Sequence, residues 1–212
     1  MLKPSLEEVK ALAKQYNTIP VFYEFSADNQ TPLNIYTALS KDSRNSFILE
    51  SVSNGVQWDR YSFVGVSPKE EICITGNTAE IRTGDKIETK EVEQPIAFLK
   101  ERMAAYRSPV LEGAPNFTGG LIGYFGYDTV RYMEKKLTHV PEDDIHMPDC
   151  HLFLYEELLA YDHLTSNGIV ILNLHTDGDL GAQYAAAQWR AEELADIVRH
   201  YNPQPQIRQH HG

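Results

Sequence analysis

Apolar and polar residues follow two rhythms along this chain, one of period 3.6 and one of period 2, and the switches between them mark its elements. Leu6, Val9, Leu12, Ala13 and Tyr16 recur at helical spacing behind a Ser5–Glu8 capping box, which predicts a helix ending near Asn17. Residues 19–25 then read as an edge strand interrupted by Pro20. Thr31 followed by Pro32 opens a second helix, with Leu33, Tyr36 and Leu39 as its expected buried stripe. Residues 46–51 are a short apolar run that stops on Glu50 and Ser51, the pattern of a buried strand whose end surfaces. Asn54 and Gly55 mark a turn, and residues 60–65 resume as a strand. Residues 71–92 read as a meander, with Gly76–Asn77 and Gly84–Asp85 as hairpin turns.

A helix follows over residues 95–106, with Pro95 at its first position and Ile96, Leu99, Met103 and Tyr106 on one face. Residues 108–116 read as a loop, and so do residues 136–149, a polar stretch with Pro141 and Pro148. Residues 152–155, 158–161 and 169–174 are strand material, the last entered through Ser166, Asn167 and Gly168. Leu180, Tyr184, Ala187, Ala191, Leu194, Val198 and Tyr201 keep a helical period over residues 180–201. Strands outnumber helices and several join through tight turns. The expected class is therefore α+β: mainly antiparallel sheet, as one sheet or as two packed orthogonally, with flanking helices. A doubly wound parallel fold needs regular strand–helix alternation, which is missing between residues 60 and 92.

Length and charge narrow the partners. The 212 residues suit one large domain or two small ones. A formal charge of −11 makes a nucleic acid a poor default partner. The two cysteines, Cys73 and Cys150, leave one disulfide possible, but so few thiols suit a reducing compartment better. The start of the chain lacks the cationic and apolar segments of a signal peptide, and no apolar run reaches the roughly 18 residues of a membrane span. The expectation is a cytoplasmic protein with no membrane partner.

General catalytic motifs are missing: no phosphate-binding loop, no dinucleotide fingerprint, no nucleophile elbow and no His-Glu-x-x-His. Glu142, Asp143, Asp144 and His146, with His151 nearby, could ligate a metal, but their proline-flanked setting reads as a solvated loop, and no metal site is assigned. Two stretches carry more. In Leu49-Glu50-Ser51 a carboxylate and a hydroxyl sit at a strand end, which suits a zwitterionic amino acid. Arg60-Tyr61-Ser62, returning after a turn, would add a cation for a carboxylate and an aromatic wall. The plainer alternative is a hairpin in which exposed Glu50 pairs with Arg60 across the strands. The second stretch, residues 119–134, has glycines that permit close backbone approach and Asp128, Arg131 and Glu134 at one-face helical spacing. It reads equally as a strand-to-helix corner with an ion-pair ladder.

Taken together these stretches resemble a known family. The run Phe-Ile-Leu-Glu-Ser-Val, then Asn-Gly, then Trp-Asp-Arg-Tyr-Ser-Phe-Val-Gly is similar to the N-terminal region of anthranilate synthase component I. So is Gly-Gly-Leu-Ile-Gly-Tyr-Phe-Gly-Tyr-Asp-Thr-Val-Arg-Tyr-Met-Glu, with further similarity at Pro148-Asp149 and Tyr161-Asp162-His163. The resemblance extends over residues 18–200 and is shared with the aminodeoxychorismate synthase component of folate synthesis. It implies one half of the chorismate-utilising fold, in a parent lyase of tryptophan biosynthesis. That enzyme aminates chorismate with ammonia or glutamine nitrogen and eliminates pyruvate to leave anthranilate. Implied partners are a C-terminal chorismate-binding domain and a glutamine amidotransferase subunit, with Mg2+ held by the chorismate-binding half. The motifs of that half do not occur in this sequence. The expected organisation is thus an N-terminal regulatory domain over residues 1–201 and a linker or tail over 202–212, inactive by itself and without catalytic or metal-ligating residues. The resemblance also implies a site for L-tryptophan, the feedback inhibitor, at Leu49, Glu50, Ser51, Arg60, Tyr61 and Ser62. Alternatives are a structural half from the folate branch and a free-standing amino-acid-binding domain.

Overall fold

The computed structural model describes residues 1–50, 60–134 and 146–203. Among the described residues, ten strands form two five-stranded sheets, and every pairing between them is antiparallel. The first sheet holds β1 (Thr18–Ser26), β10 (Asn167–His175), β9 (Glu157–Asp162), β3 (Tyr61–Val66) and β2 (Ser46–Leu49), in that spatial order. The second holds β6 (Lys86–Glu91), β5 (Thr78–Thr83), β4 (Glu70–Thr75), β8 (Cys150–Tyr155) and β7 (Gly120–Phe125). Short connections carry the chain from β3 into β4 and from β8 into β9, so the sheets share a corner, which the Lys69 amide closes onto the Leu154 carbonyl at 2.8 Å.

Helices α1 (Leu6–Leu12), α2 (Pro32–Leu39) and α5 (Leu180–Arg199) cover one face of the first sheet. Val64, Val66, Leu159, Val170 and Leu172 point into that layer and meet Val9, Ile35, Ala191, Leu194 and Val198. The capping box forms as read, with Ser5 and Glu8 satisfying each other's end of α1, while Thr31 caps α2 and Asp179 caps α5. The buried stripe of α2 matches the sequence expectation in part: Tyr36 and Leu39 pack partly buried against the core, but Pro32, Ile35 and Ala38 are the fully buried positions and Leu33 is exposed. Docking against β3 and α5 centres the buried side on Ile35, which keeps Tyr36 and Leu39 at its margin and leaves Leu33 outside.

Proline does not interrupt β1. Pro20 sits opposite Asn173 in an unbroken register, because β1 is the sheet edge and one side of its backbone needs no ladder partner. Strand β2 is also an edge, half-exposed rather than buried. The second sheet packs Ile72, Ile74, Ala79, Ile81 and Leu152 against Leu99 of α3 (Pro95–Ala104). Glu70, on β4, is nearly buried and accepts from both Nε and Nη2 of Arg102, at 2.9 and 2.7 Å, which fastens α3 to the sheet corner.

The glycine-rich stretch becomes β7, a short 3-10 turn (Tyr127–Thr129) and α4 (Val130–Met133). A Cβ on Gly123 would lie 2.0 Å from the His151 carbonyl oxygen, so β7 and β8 approach more closely than any other residue permits. Asp149 ties this corner down: its carboxylate accepts from the Gly76 amide (2.6 Å) and the Tyr132 hydroxyl (2.7 Å). Arg131 pairs with Asp128 at 2.7 Å, the first rung of the expected ladder, while Glu134 lies past the end of α4. Cys73 sits opposite His151 and Cys150 opposite Ile74, so the two thiols lie on opposite faces of adjacent strands and both are free. The disulfide left possible by the sequence does not form.

Candidate functional site

Of the residues singled out at the chain's strongest motif, Leu49, Glu50, Arg60, Tyr61 and Ser62 lie at one end of the first sheet. In the β2–β3 ladder Phe47 faces Gly65, Ile48 faces Val64 and Leu49 faces Phe63. Continued by one step, that register sets Glu50 level with Ser62. Glu50 is exposed and Leu49 half-exposed. Ser51 lies outside the described residues. The fold thus brings Leu49 and Glu50 beside Arg60, Tyr61 and Ser62, and strand alternation divides them between two faces. Leu49, Tyr61 and Phe63 share the face away from the helices, where Tyr61 and Phe63 stack obliquely with ring centroids 6.2 Å apart. Ser62 points to the helix side and is buried, its hydroxyl 2.8 Å from Nε2 of His163.

Arg60 does not pair with Glu50 across the strands. Its guanidinium forms a fork on Asp162, with Nε to Oδ1 at 3.0 Å and Nη2 to Oδ2 at 2.6 Å. The Asp162 side chain is only 3% exposed, whereas that of Arg60 is 45% exposed. A buried carboxylate with a half-exposed partner is stable only when its lone pairs are filled, and here the Leu164 amide also donates to Oδ1 at 3.0 Å. Burial raises the Asp162 pKa, but the hydrogen bonds from Arg60, Leu164 and Thr165 outweigh it and hold the carboxyl below its ordinary value. The same fork raises the Arg60 pKa. Burial raises that of the Tyr61 phenol, which keeps it neutral. Backbone contacts fix the arrangement: Tyr61 faces Asp162 in the β3–β9 ladder, and the His163 amide donates to the Arg60 carbonyl at 2.9 Å.

Asp162 and His163 were not singled out as site residues from the sequence. The signal was Tyr161-Asp162-His163 itself: a charged and a polar residue ending an apolar strand, as Glu50 and Ser51 end another. The acidic run considered for metal binding has residues 142–144 outside the described residues. Among the described residues, no group of three or more His, Cys, Asp or Glu side chains is placed to hold a metal ion.

Comparison with known proteins gives this geometry a family. A model described as chorismate binding enzyme matches residues 45–211. The chain is 38% identical over 194 residues to anthranilate synthase component 1 of Acetivibrio thermocellus, covering 92% of this chain and 39% of that protein. It is 37% identical over 196 residues to anthranilate synthase component 1 of Pseudomonas aeruginosa, covering 91% of this chain and 39% of that protein. A chloroplastic anthranilate synthase alpha subunit of Arabidopsis thaliana is 34% identical over 208 residues, covering 92% of this chain and 34% of that protein. The chain thus spans about two fifths of the length of the curated relatives it matches. The crystal structure of anthranilate synthase component I from Streptococcus pneumoniae superposes with a TM-score of 0.50 at 26% identity, covering 83% of this chain and 36% of that one. Sequence motifs, two-sheet α+β architecture and family match agree, and the chain belongs to the chorismate binding enzyme family.

Proposed function

We propose that this chain is the N-terminal regulatory part of an anthranilate synthase component I and that L-tryptophan binds where β2 ends and β3 begins. The observation that supports this reading is the antiparallel register that sets the Leu49–Glu50 end beside Arg60 and Tyr61. A free amino acid presents an ammonium group, a carboxylate and a side chain. The ligand in this reading straddles the strand end: Glu50, on the helix side, supplies an exposed carboxylate for the first, Arg60 a half-exposed guanidinium for the second, and Tyr61 with Leu49, on the other face, an apolar surface for an indole. Ser51 adds a hydroxyl. Ser62, turned inward to His163, supports the strand end from below.

The chemistry this reading assigns to the complete protein is amination of chorismate by ammonia, released from glutamine by an amidotransferase subunit, followed by loss of pyruvate to give anthranilate. Mg2+ belongs to that chemistry. The carboxylates and imidazoles described here are dispersed or engaged in ion pairs, do not fit its ligand set, and take no step through it. Tryptophan bound here acts on turnover only through different affinities for two arrangements of this part and the catalytic part. The test uses the full-length protein. Glu50→Ala and Ser51→Ala should each abolish tryptophan inhibition while anthranilate formation from chorismate, ammonia and Mg2+ persists; unchanged inhibition in both variants removes the assignment.

One observation favours an additional, structural role. Phe22, Phe47 and Tyr61, on the face of the first sheet away from the helices, are only partly buried around Phe63 and Leu158, together with Phe117 from the segment before β7 and Ile122 and Phe153 from the second sheet. An apolar face of this kind suits packing against the catalytic part. If packing were its sole role, as in the folate branch, calorimetry would find tryptophan binding without inhibition, or no binding.

A further inference from the structure

We infer that Asp162 is a positioning residue that presents Arg60 to a ligand carboxylate, so that β9 serves the site although it contributes no contact of its own. The inference rests on the proposed tryptophan site and goes beyond it by naming the group that makes Arg60 a receptor.

A guanidinium carries five N–H donors in a rigid plane. Asp162 takes Nε–H and one hydrogen of Nη2, and among the described residues no other group takes the remaining three. An arginine at a strand start would otherwise sample many rotamers, and ordering it upon binding would cost ligand affinity. Here the ordering is done beforehand. The clamp comes from a side chain that folding buries almost completely, and the Leu164 amide and Thr165 side chain hold that carboxylate in turn. The outward edge of the guanidinium is thereby fixed in direction and remains half-exposed.

Electrostatics alone predicts the opposite effect. Asp162, with Glu24 close by, offsets the charge of Arg60 and so weakens its attraction for an anion. Removing the charge of Asp162 should tighten a carboxylate ligand if the residue is merely a neighbouring charge, and loosen it if the residue positions Arg60. The sign of the effect therefore separates the two roles.

The experiment is calorimetry on the full-length protein, wild type and Asp162→Asn, with three probes: L-tryptophan, indole-3-propionate, which keeps the carboxylate, and tryptamine, which lacks it. The expected result is about tenfold weaker binding of tryptophan and indole-3-propionate, with tryptamine changed less than about twofold. Equal loss of all three probes indicates general damage to the fold and overturns the inference, as does unchanged or tighter binding of the carboxylate probes. If Asp162→Asn does not fold, the Arg60 Nε–H resonance of the wild-type protein decides. It should be protected from exchange and should shift with indole-3-propionate but not with tryptamine; an averaged, unprotected resonance refutes positioning. Failure of the wild type to bind tryptophan, or an Arg60→Ala variant that binds it normally, would instead remove the underlying site.

Discussion

Replacing Gly123 by alanine puts the close approach of β7 and β8 to a direct test. A Cβ at this position would lie 2.0 Å from the His151 oxygen and 2.9 Å from both the His151 carbonyl carbon and the Leu152 Cα. All three are backbone atoms of β8, and Gly123 faces Leu152 in the ladder, so no side-chain rotation relieves the clash. Either the β7 register opens or the strand shifts outward. Forcing atoms into a packed site costs about 1–3 kcal/mol, and a backbone conformation that L residues rarely adopt costs about 1–3 kcal/mol more. The φ of Gly123 is +158°, at the margin of that region, so the steric cost dominates. The expected loss is about 2–4 kcal/mol, a large part of the stability of a typical domain. Urea unfolding followed by far-UV circular dichroism measures it. Gly76→Ala is the matched control: its φ is +56°, yet nothing lies within 4 Å of its Cβ position, so only the turn strain remains, at about 1 kcal/mol. If Gly123→Ala destabilises no more than Gly76→Ala, the close approach does not constrain the sheet and the reasoning fails.

Three other outcomes follow from the same geometry. Arg102→Ala should cost about 3 kcal/mol by leaving the nearly buried Glu70 carboxylate unpaired, and Glu70→Gln in the same chain should restore part of that loss; equal midpoints for wild type and Arg102→Ala in urea would contradict this. In the native protein at pH 8, iodoacetamide should label half-exposed Cys73 before Cys150, whose thiol burial pushes up to about 11; mass spectrometry showing equal labelling rates would refute the placement. The Asp162 carboxyl has a lower pKa folded than unfolded, so its stabilisation is complete above the unfolded-state value of about 3.9 and is lost as pH falls through the folded value. Urea midpoints of wild type and Asp162→Asn should therefore differ at pH 6 and converge towards pH 2, whereas a pH-independent gap would contradict the linkage.

Local chemistry made much of the fold legible. Ser5 with Glu8, Thr31 with Pro32, and the Gly76 and Gly84 turns each state their structure within a few residues, and each element forms where they indicate. The long period from Leu180 to Val198 likewise fixes α5. Features decided by distant partners were not legible. Leu33 and Ile35 lie on opposite sides of α2, and only docking against β3 and α5 decides which of them is buried. Whether β2 is central or at an edge depends on strand order, not on its own four residues. At the candidate site the sequence supplied the strand ends carrying Glu50 and Arg60 but not the clamp. Asp162 is 102 positions from Arg60, and the pairing exists only because β3 and β9 are neighbours.

The most direct test is a crystal structure of the full-length protein grown with L-tryptophan. The account predicts the amino acid at the β2–β3 end of the first sheet, its ammonium on Glu50, its carboxylate on the outward edge of Arg60 and its indole against Tyr61. Tryptophan bound elsewhere, with the Glu50–Arg60 end empty, would contradict it.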